Sequence, residues 1–241
     1  MIYIKRIFIL ILTLTVGSFM VFQQGLGLNT AKAYTAPQLP NEYINTDLSQ
    51  TPVTGKSIIA QTTAEFKQAL KDAVGGDEIV LTAGQTYVGP FELPNKAGNS
   101  WITIRTSKIN ELPAAGVRVG PSHSSLMAKI VSPGLNQPAL TTANTAHHFR
   151  IIGIEFSKSK PSDVVTNLIY LEGNQTQHAQ MPHHIILDRI YAHGDASSNL
   201  RRCIALNTAY TAVIDSHVSD CHEIGADAQA IAGWNGTGPF K

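Results

Sequence analysis

Charge is scarce in this chain. Of its 241 residues only 15% are Asp, Glu, Lys or Arg, against roughly 25% in an ordinary soluble domain, and the net charge is +1. No Lys/Arg cluster is interleaved with aromatics, so a nucleic-acid partner has no electrostatic support. Cysteine is nearly absent: Cys203 and Cys221 are the two present, too few for a disulfide framework. Two buried thiols are the simpler reading, and a single bridge, which an oxidising compartment would permit, is the alternative. A Ser-His-Asp order, a P-loop and a dinucleotide fingerprint are all missing. His217 and His222 lack the Cys or third His that a zinc frame needs. Triad hydrolysis, nucleotide chemistry and transition-metal binding are therefore not expected.

What is present begins at the N-terminus. Lys5 and Arg6 precede an apolar run over residues 7–22, and Ala31-Lys32-Ala33 places small residues where a signal peptidase reads. A cleaved secretory signal over 1–33 is expected, with Tyr34 as the first mature residue. An uncleaved anchor is the alternative, although the run is short for a span of ~20 residues. The mature domain is expected to be secreted, periplasmic or at the cell surface, with no stable membrane span. Residues 34–60 are rich in Pro, Thr, Asn and Gln and read as an extended lead-in.

Order then starts sharply. Thr62-Thr63-Ala64-Glu65 fits a capping box, and Phe66, Ala69, Leu70, Ala73 and Val74 line one helix face before Gly75-Gly76 ends it. After this short helix the period changes to that of strands: 77–81, 91–93 and 101–105. Three later segments overlay one another: 149–156 (FRIIGIEF), 185–192 (IILDRIYA) and 212–219 (AVIDSHVS), at steps of 36 and 27 residues. A second series, around Leu140, Ile169, Ile204 and Ile231, runs between them. Two interleaved strand series advancing together predict a solenoid, in which stacked coils enclose the core that no single coil can bury. The helix would cover the open first coil. An antiparallel β-sandwich competes, but gives no reason for similar segments at near-constant intervals.

The helix followed by Gly76-Asp77-Glu78-Ile79-Val80-Leu81 and Gly84-Gln85-Thr86-Tyr87 resembles the opening of pectate-lyase-like β-helix proteins. His148-Phe149-Arg150-Ile151-Ile152-Gly153-Ile154-Glu155-Phe156 resembles their coil strands. The resemblance covers roughly residues 58–241 and implies an all-β, right-handed parallel β-helix over 61–241. The chain stops at Pro239-Phe240-Lys241, where a strand begins and no cap follows, so a longer protein truncated at its C-terminus is expected. The superfamily includes lyases, hydrolases, esterases and non-enzymatic surface proteins, so the fold does not choose the reaction.

Superfamily lyases act on uronic acids by β-elimination. That chemistry needs the sugar carboxylate neutralised and a base to take the neighbouring proton. The resemblance implies an Arg or Lys base and Ca²⁺ on stacked carboxylates. The richest region is 188–234. At a 27-residue step Asp220 would stack on His193, His222 on Asp195 and Asp215 on Asp188. The expected catalytic residues are Arg201 or Arg202, whose guanidinium matches a carboxylate bidentately, with His193. Trp234, Gln229 and His222 are expected to hold sugar, and Asp195, Asp220 and Asp227 to ligate Ca²⁺. Bland readings stand beside these. Asp188 and Asp215 would bond turn backbone, and Arg201 and Arg202 would pair with Asp195 and Asp220. His147-His148 and His183-His184 recur before two strands, a pattern that suggests a metal ladder, but solvated turn residues are the expectation. The expected partner is an acidic polysaccharide bound by a monomer. A polysaccharide lyase leads, with a non-catalytic glycan-binding scaffold and a glycoside hydrolase as rivals.

Overall fold

The computed structural model describes residues 42–172 and 174–241. The expected signal, 1–33, and the start of the lead-in lie outside them. Among the described residues no helix is long and apolar enough to cross a membrane.

The strand β1 (Ser57–Ala60) leads into the helix α1 (Thr63–Asp72), and five three-strand coils follow. The first comprises β2 (Glu78–Leu81), β3 (Thr86–Val88) and β4 (Phe91–Leu93). The second has β5 (Ile102–Thr106), β6 (Ala128–Ser132) and β7 (Leu140–Thr142). The third has β8 (His147–Ile152), β9 (Ile154–Lys158) and β10 (Val165–Leu171). The fourth has β11 (His183–Asp188), β12 (Tyr191–His193) and β13 (Leu200–Leu206). The fifth has β14 (Ala209–Ile214), β15 (His217–Ser219) and β16 (Gln229–Ala232). Equivalent strands stack into three sheets. The first sheet runs β1-β2-β5-β8-β11-β14, the second β3-β6-β9-β12-β15 and the third β4-β7-β10-β13-β16. Each pairing between these strands is parallel. The fold is a parallel β-helix, and the sandwich alternative is excluded.

Stacking in register turns the alternating pattern into columns of like residues. Ile79, Ile104, Ile151, Leu187 and Val213 form one inward column, each rung but the last sealed from solvent. Full burial of such side chains contributes about 1.5–3 kcal/mol each. The capping box forms as expected, with the Glu65 amide donating to the Thr62 hydroxyl and the Thr62 amide donating to the Glu65 carboxylate, both at 3.2 Å. The apolar face of α1 then closes the first coil, Phe66 lying 4.4 Å from the Phe91 ring and 5.9 Å from Tyr87.

The coils meet at corners where the backbone is left-handed. Between the first and second sheets that residue is Gly153 (φ 66°), then Arg189 (φ 50°), then Asp215 (φ 51°). Between the third and first it is His148 (φ 59°), His184 (φ 55°) and Tyr210 (φ 49°). These corners interrupt strand alternation. The step from the fourth coil to the fifth is also shorter than the sequence overlay by one residue: Ile185 pairs with Thr211, and Asp188 with Ile214. His193 accordingly faces Ser219, so Asp220 falls beside Gly194. A Cβ on Gly194 would sit 2.1 Å from the Asp220 carbonyl oxygen, a close approach that only glycine allows.

The lead-in is more than a spacer. On the outer face of the first sheet, buried Arg150 donates to Asp188 at 2.6 Å, to the Thr51 hydroxyl at 3.1 Å and to the Asp47 carbonyl at 3.3 Å. Arg189 shares Asp188 at 2.8 Å and donates to the Pro113 carbonyl at 3.0 Å. Asp188 therefore anchors two guanidiniums rather than turn backbone, which corrects the bland reading. Asp215 does bond backbone, accepting from the Gly116 amide at 2.6 Å. The outcome is positional: residues 47–51 and 113–116 are tied down over the first sheet.

Cys203 and Cys221 are joined in a disulfide, not left as buried thiols. Cys203 faces the core from β13 and Cys221 follows β15, so the bridge ties the fourth coil to the fifth. It encloses a sequence separation of 18, a loop whose closure is worth about 3 kcal/mol in the chain-entropy account. Urea unfolding with and without reductant is expected to differ by about that amount, and a double Cys→Ser variant should match the reduced protein.

Candidate functional site

The sequence-predicted residues fall on two faces. On the third sheet, Asn167, Arg202 and Gln229 are aligned on consecutive coils. Arg202 Nε donates to Gln229 Oε1 at 3.1 Å and Nη1 to Asn167 Oδ1 at 3.4 Å. Its guanidinium carbon lies 5.0 Å from the Trp234 ring centroid, within reach of a cation–π contact. Trp234, 48% exposed, stacks at 6.3 Å and 21° on Tyr170. Ala205, aligned between Tyr170 and Ala232, carries only a methyl and leaves the indole room to lean across. The loop holding Trp234 is fixed from below: Asn207, fully buried, accepts through Oδ1 from the Trp234 amide at 2.8 Å and the Asn235 amide at 3.2 Å. Gly233 is required there, since a Cβ would lie 2.5 Å from the Leu206 carbonyl.

Three expected residues, Arg202, Gln229 and Trp234, are thus brought together. Asn167, Tyr170 and Asn207 escaped sequence reading. The first two recur one coil before Arg202 and Ala205, and a correct step between β10 and β13 would have found them. Arg202 has no carboxylate partner among the described residues; amide oxygens and an indole surround it instead. A cation held in place with its charge uncompensated is ready for an anion. Burial first, and then the Glu172 charge, raise Tyr170 above the ordinary phenol value, so its hydroxyl stays protonated and serves as a donor.

Arg201 points to other partners, pairing with Glu223 at 3.5 Å and donating to the Asp227 carbonyl at 3.2 Å. Neither Arg201 nor Arg202 pairs with Asp195 or Asp220, as the bland reading had it. His193 lies on the second sheet. Its Nε2 is 3.2 Å from Glu155 Oε1, its Nδ1 is 2.7 Å from the Gly194 carbonyl, and its ring stacks on Tyr191 at 4.2 Å. Burial alone would raise the Glu155 carboxyl, but hydrogen bonds from His193 and Ser124 and the Lys129 charge hold it below the usual range. Burial would lower His193, and its bonds to Glu155 and Gly194 raise it instead.

The expected Ca²⁺ ligands do not converge. Asp195 is 2.9 Å from the Lys158 ammonium and accepts from Ser197 and Ser198. Those bonds outweigh burial and hold its carboxyl well below the usual range. Asp220 accepts from the Ser219 hydroxyl at 3.0 Å, and Asp227 engages Arg201 through its backbone. His222 meets Leu200 through its carbonyl at 2.8 Å. Among the described residues, the side chains gathered tightly enough to share an ion are His148, His183 and His184. These are half-buried strand and corner residues, not the solvated turn residues expected. Burial first, then repulsion from neighbouring histidines, push His148 and His183 down to about 4.

No protein-family model matches the sequence, and no curated protein matches it. Solved structures similar to it include an alginate lyase from Paenibacillus sp. str. FPU-7, at 18% identity and a TM-score of 0.47 over 68% of this chain and 44% of that one. The PL6 family alginate lyase AlyGC is 16% identical, with a TM-score of 0.37, over 65% of this chain and 18% of that one. The chain spans less than half the length of either, and these likenesses assign no residue a role.

Proposed function

We propose that this chain is exported, binds an acidic polysaccharide along its third sheet and cleaves it by β-elimination. The observation that carries the reading is Arg202, a guanidinium without a carboxylate partner among the described residues, bonded to Gln229 and Asn167 and held against the exposed Trp234 ring, on which Tyr170 stacks. A uronate offers what this face lacks. Its carboxylate fits the guanidinium fork, its ring can lie on the indole, and its hydroxyls can meet the amides. Neutralising the carboxylate acidifies the adjacent C–H. A base removes that proton, the glycosidic C–O bond breaks, and the leaving oxygen takes a proton, for which the Tyr170 hydroxyl is suited. The disulfide supports export.

One observation favours a second reading, a non-catalytic glycan-binding scaffold: Arg202's neighbours on this face are amides and aromatic rings, none of them a ready proton acceptor. Incubation with alginate, pectate and glycosaminoglycans, with and without Ca²⁺, separates the two. The lyase reading expects unsaturated uronate absorbance in the ultraviolet on at least one polymer. Binding without that absorbance establishes the scaffold, and neither binding nor turnover removes both. The Ca²⁺ arm reads whether binding or cleavage depends on that ion.

A further inference from the structure

On the corner between the third and first sheets, two consecutive histidines occur in each of two neighbouring coils. The left-handed backbone at His148 and His184 breaks strand alternation, so neighbours that would point to opposite faces meet instead. His147 Nδ1 lies 2.7 Å from His148 Nδ1, and His183 Nδ1 lies 2.7 Å from His184 Nδ1. Coil stacking lays one pair on the other, His147 over His183 at 4.9 Å and His148 over His184 at 4.7 Å, with both pairs of ring planes nearly parallel.

We propose that His148, His183 and His184 bind a divalent transition-metal ion of the Zn²⁺ or Cu²⁺ class. One ring nitrogen from each lies within 4.8 Å of the others. The donor set is all imidazole with no carboxylate in the group, which suits Zn²⁺ or Cu²⁺ and not the oxygen-seeking Ca²⁺ or Mg²⁺. The rings are clamped from both ends of the column. Trp101 packs edge-on at 5.1 Å from His148, and Tyr210 stacks 4.9 Å from His184. Ligands already ordered by their neighbours lose little freedom on binding. A cavity of about 490 Å³, lined by His178, Met181, His183, His184 and Tyr210, opens onto the group. It gives the ion a way in and leaves room for water at a fourth position, as in three-ligand zinc sites.

The test uses the untagged full chain, dialysed against Zn²⁺ or Cu²⁺ and assayed by elemental analysis. One ion per chain is expected, with at least a hundred-fold weaker binding in the double variant His148→Gln, His184→Gln and no change in His217→Gln. Should the double variant not fold, electron paramagnetic resonance of the Cu²⁺-loaded wild type decides, with three imidazole nitrogens expected. No bound ion, equal binding by wild type and a folded double variant, or a copper signal from fewer than three nitrogens would overturn the proposal.

Discussion

Asp188→Ala is expected to cost about 3–5 kcal/mol of folding stability, the range for removing one partner of a buried ion pair. Asp188 is fully buried, with Arg150 at 1% and Arg189 at 4% exposure, and its carboxylate is the anion for both guanidiniums. Without it two cations remain in a site that water does not reach. Pairing geometry cannot relieve them, because their remaining bonds go to the Thr51 hydroxyl and to the Asp47 and Pro113 carbonyls. The same change should release residues 47–51 from the first sheet, read as faster proteolysis there. Replacing Arg150, Asp188 and Arg189 together by apolar residues of similar size should cost far less than the single change, since desolvation of three charges is removed with their attraction. Denaturant unfolding followed by circular dichroism measures both. A loss below about 1 kcal/mol in Asp188→Ala, the worth of an exposed pair, would show that the cluster is solvated in solution.

Arg202→Ala should reduce kcat/KM on the responsive polyuronate at least about 100-fold, the scale for losing a preorganised charge at a reacting centre. Arg202→Lys keeps the charge but not the planar fork or its stacking on Trp234, and should recover only part of the loss. Arg201→Ala is the discriminating comparison. Arg201 is already engaged by Glu223 and the Asp227 carbonyl, so a loss within a few-fold is expected. Equal losses for the two arginines, or none for Arg202, would displace the third-sheet face as the site.

The contrast between the arginines marks where sequence reading stops. The solenoid, its capping helix and the interleaved strand series follow from local facts. Thr62 and Glu65 are three residues apart and make the capping box by themselves. A strand cannot bury its apolar side unless its recurrence lies alongside, so recurrence implies stacking. Arg202, Gln229 and Trp234 could also be picked out by residue type, and the structure gathers them on one face.

Tertiary structure alone decided which polar residues meet. A one-residue difference in step sends a side chain to the opposite face of a strand, and turns of unequal length introduce such differences, so that Tyr191 meets His217 in the second sheet while Arg202 meets Gln229 in the third. That displaced Asp220 from His193, set Asp215 against Gly116 instead of Asp188, and brought Asn167 beneath Arg202. The Cys203–Cys221 bridge and the histidine column are further cases, for a disulfide or a ligand set depends on distances across coils. Hydrophobic burial is non-directional and tolerates small errors of register. Hydrogen bonds, ion pairs and coordination do not, since each depends on placement to within a fraction of an ångström.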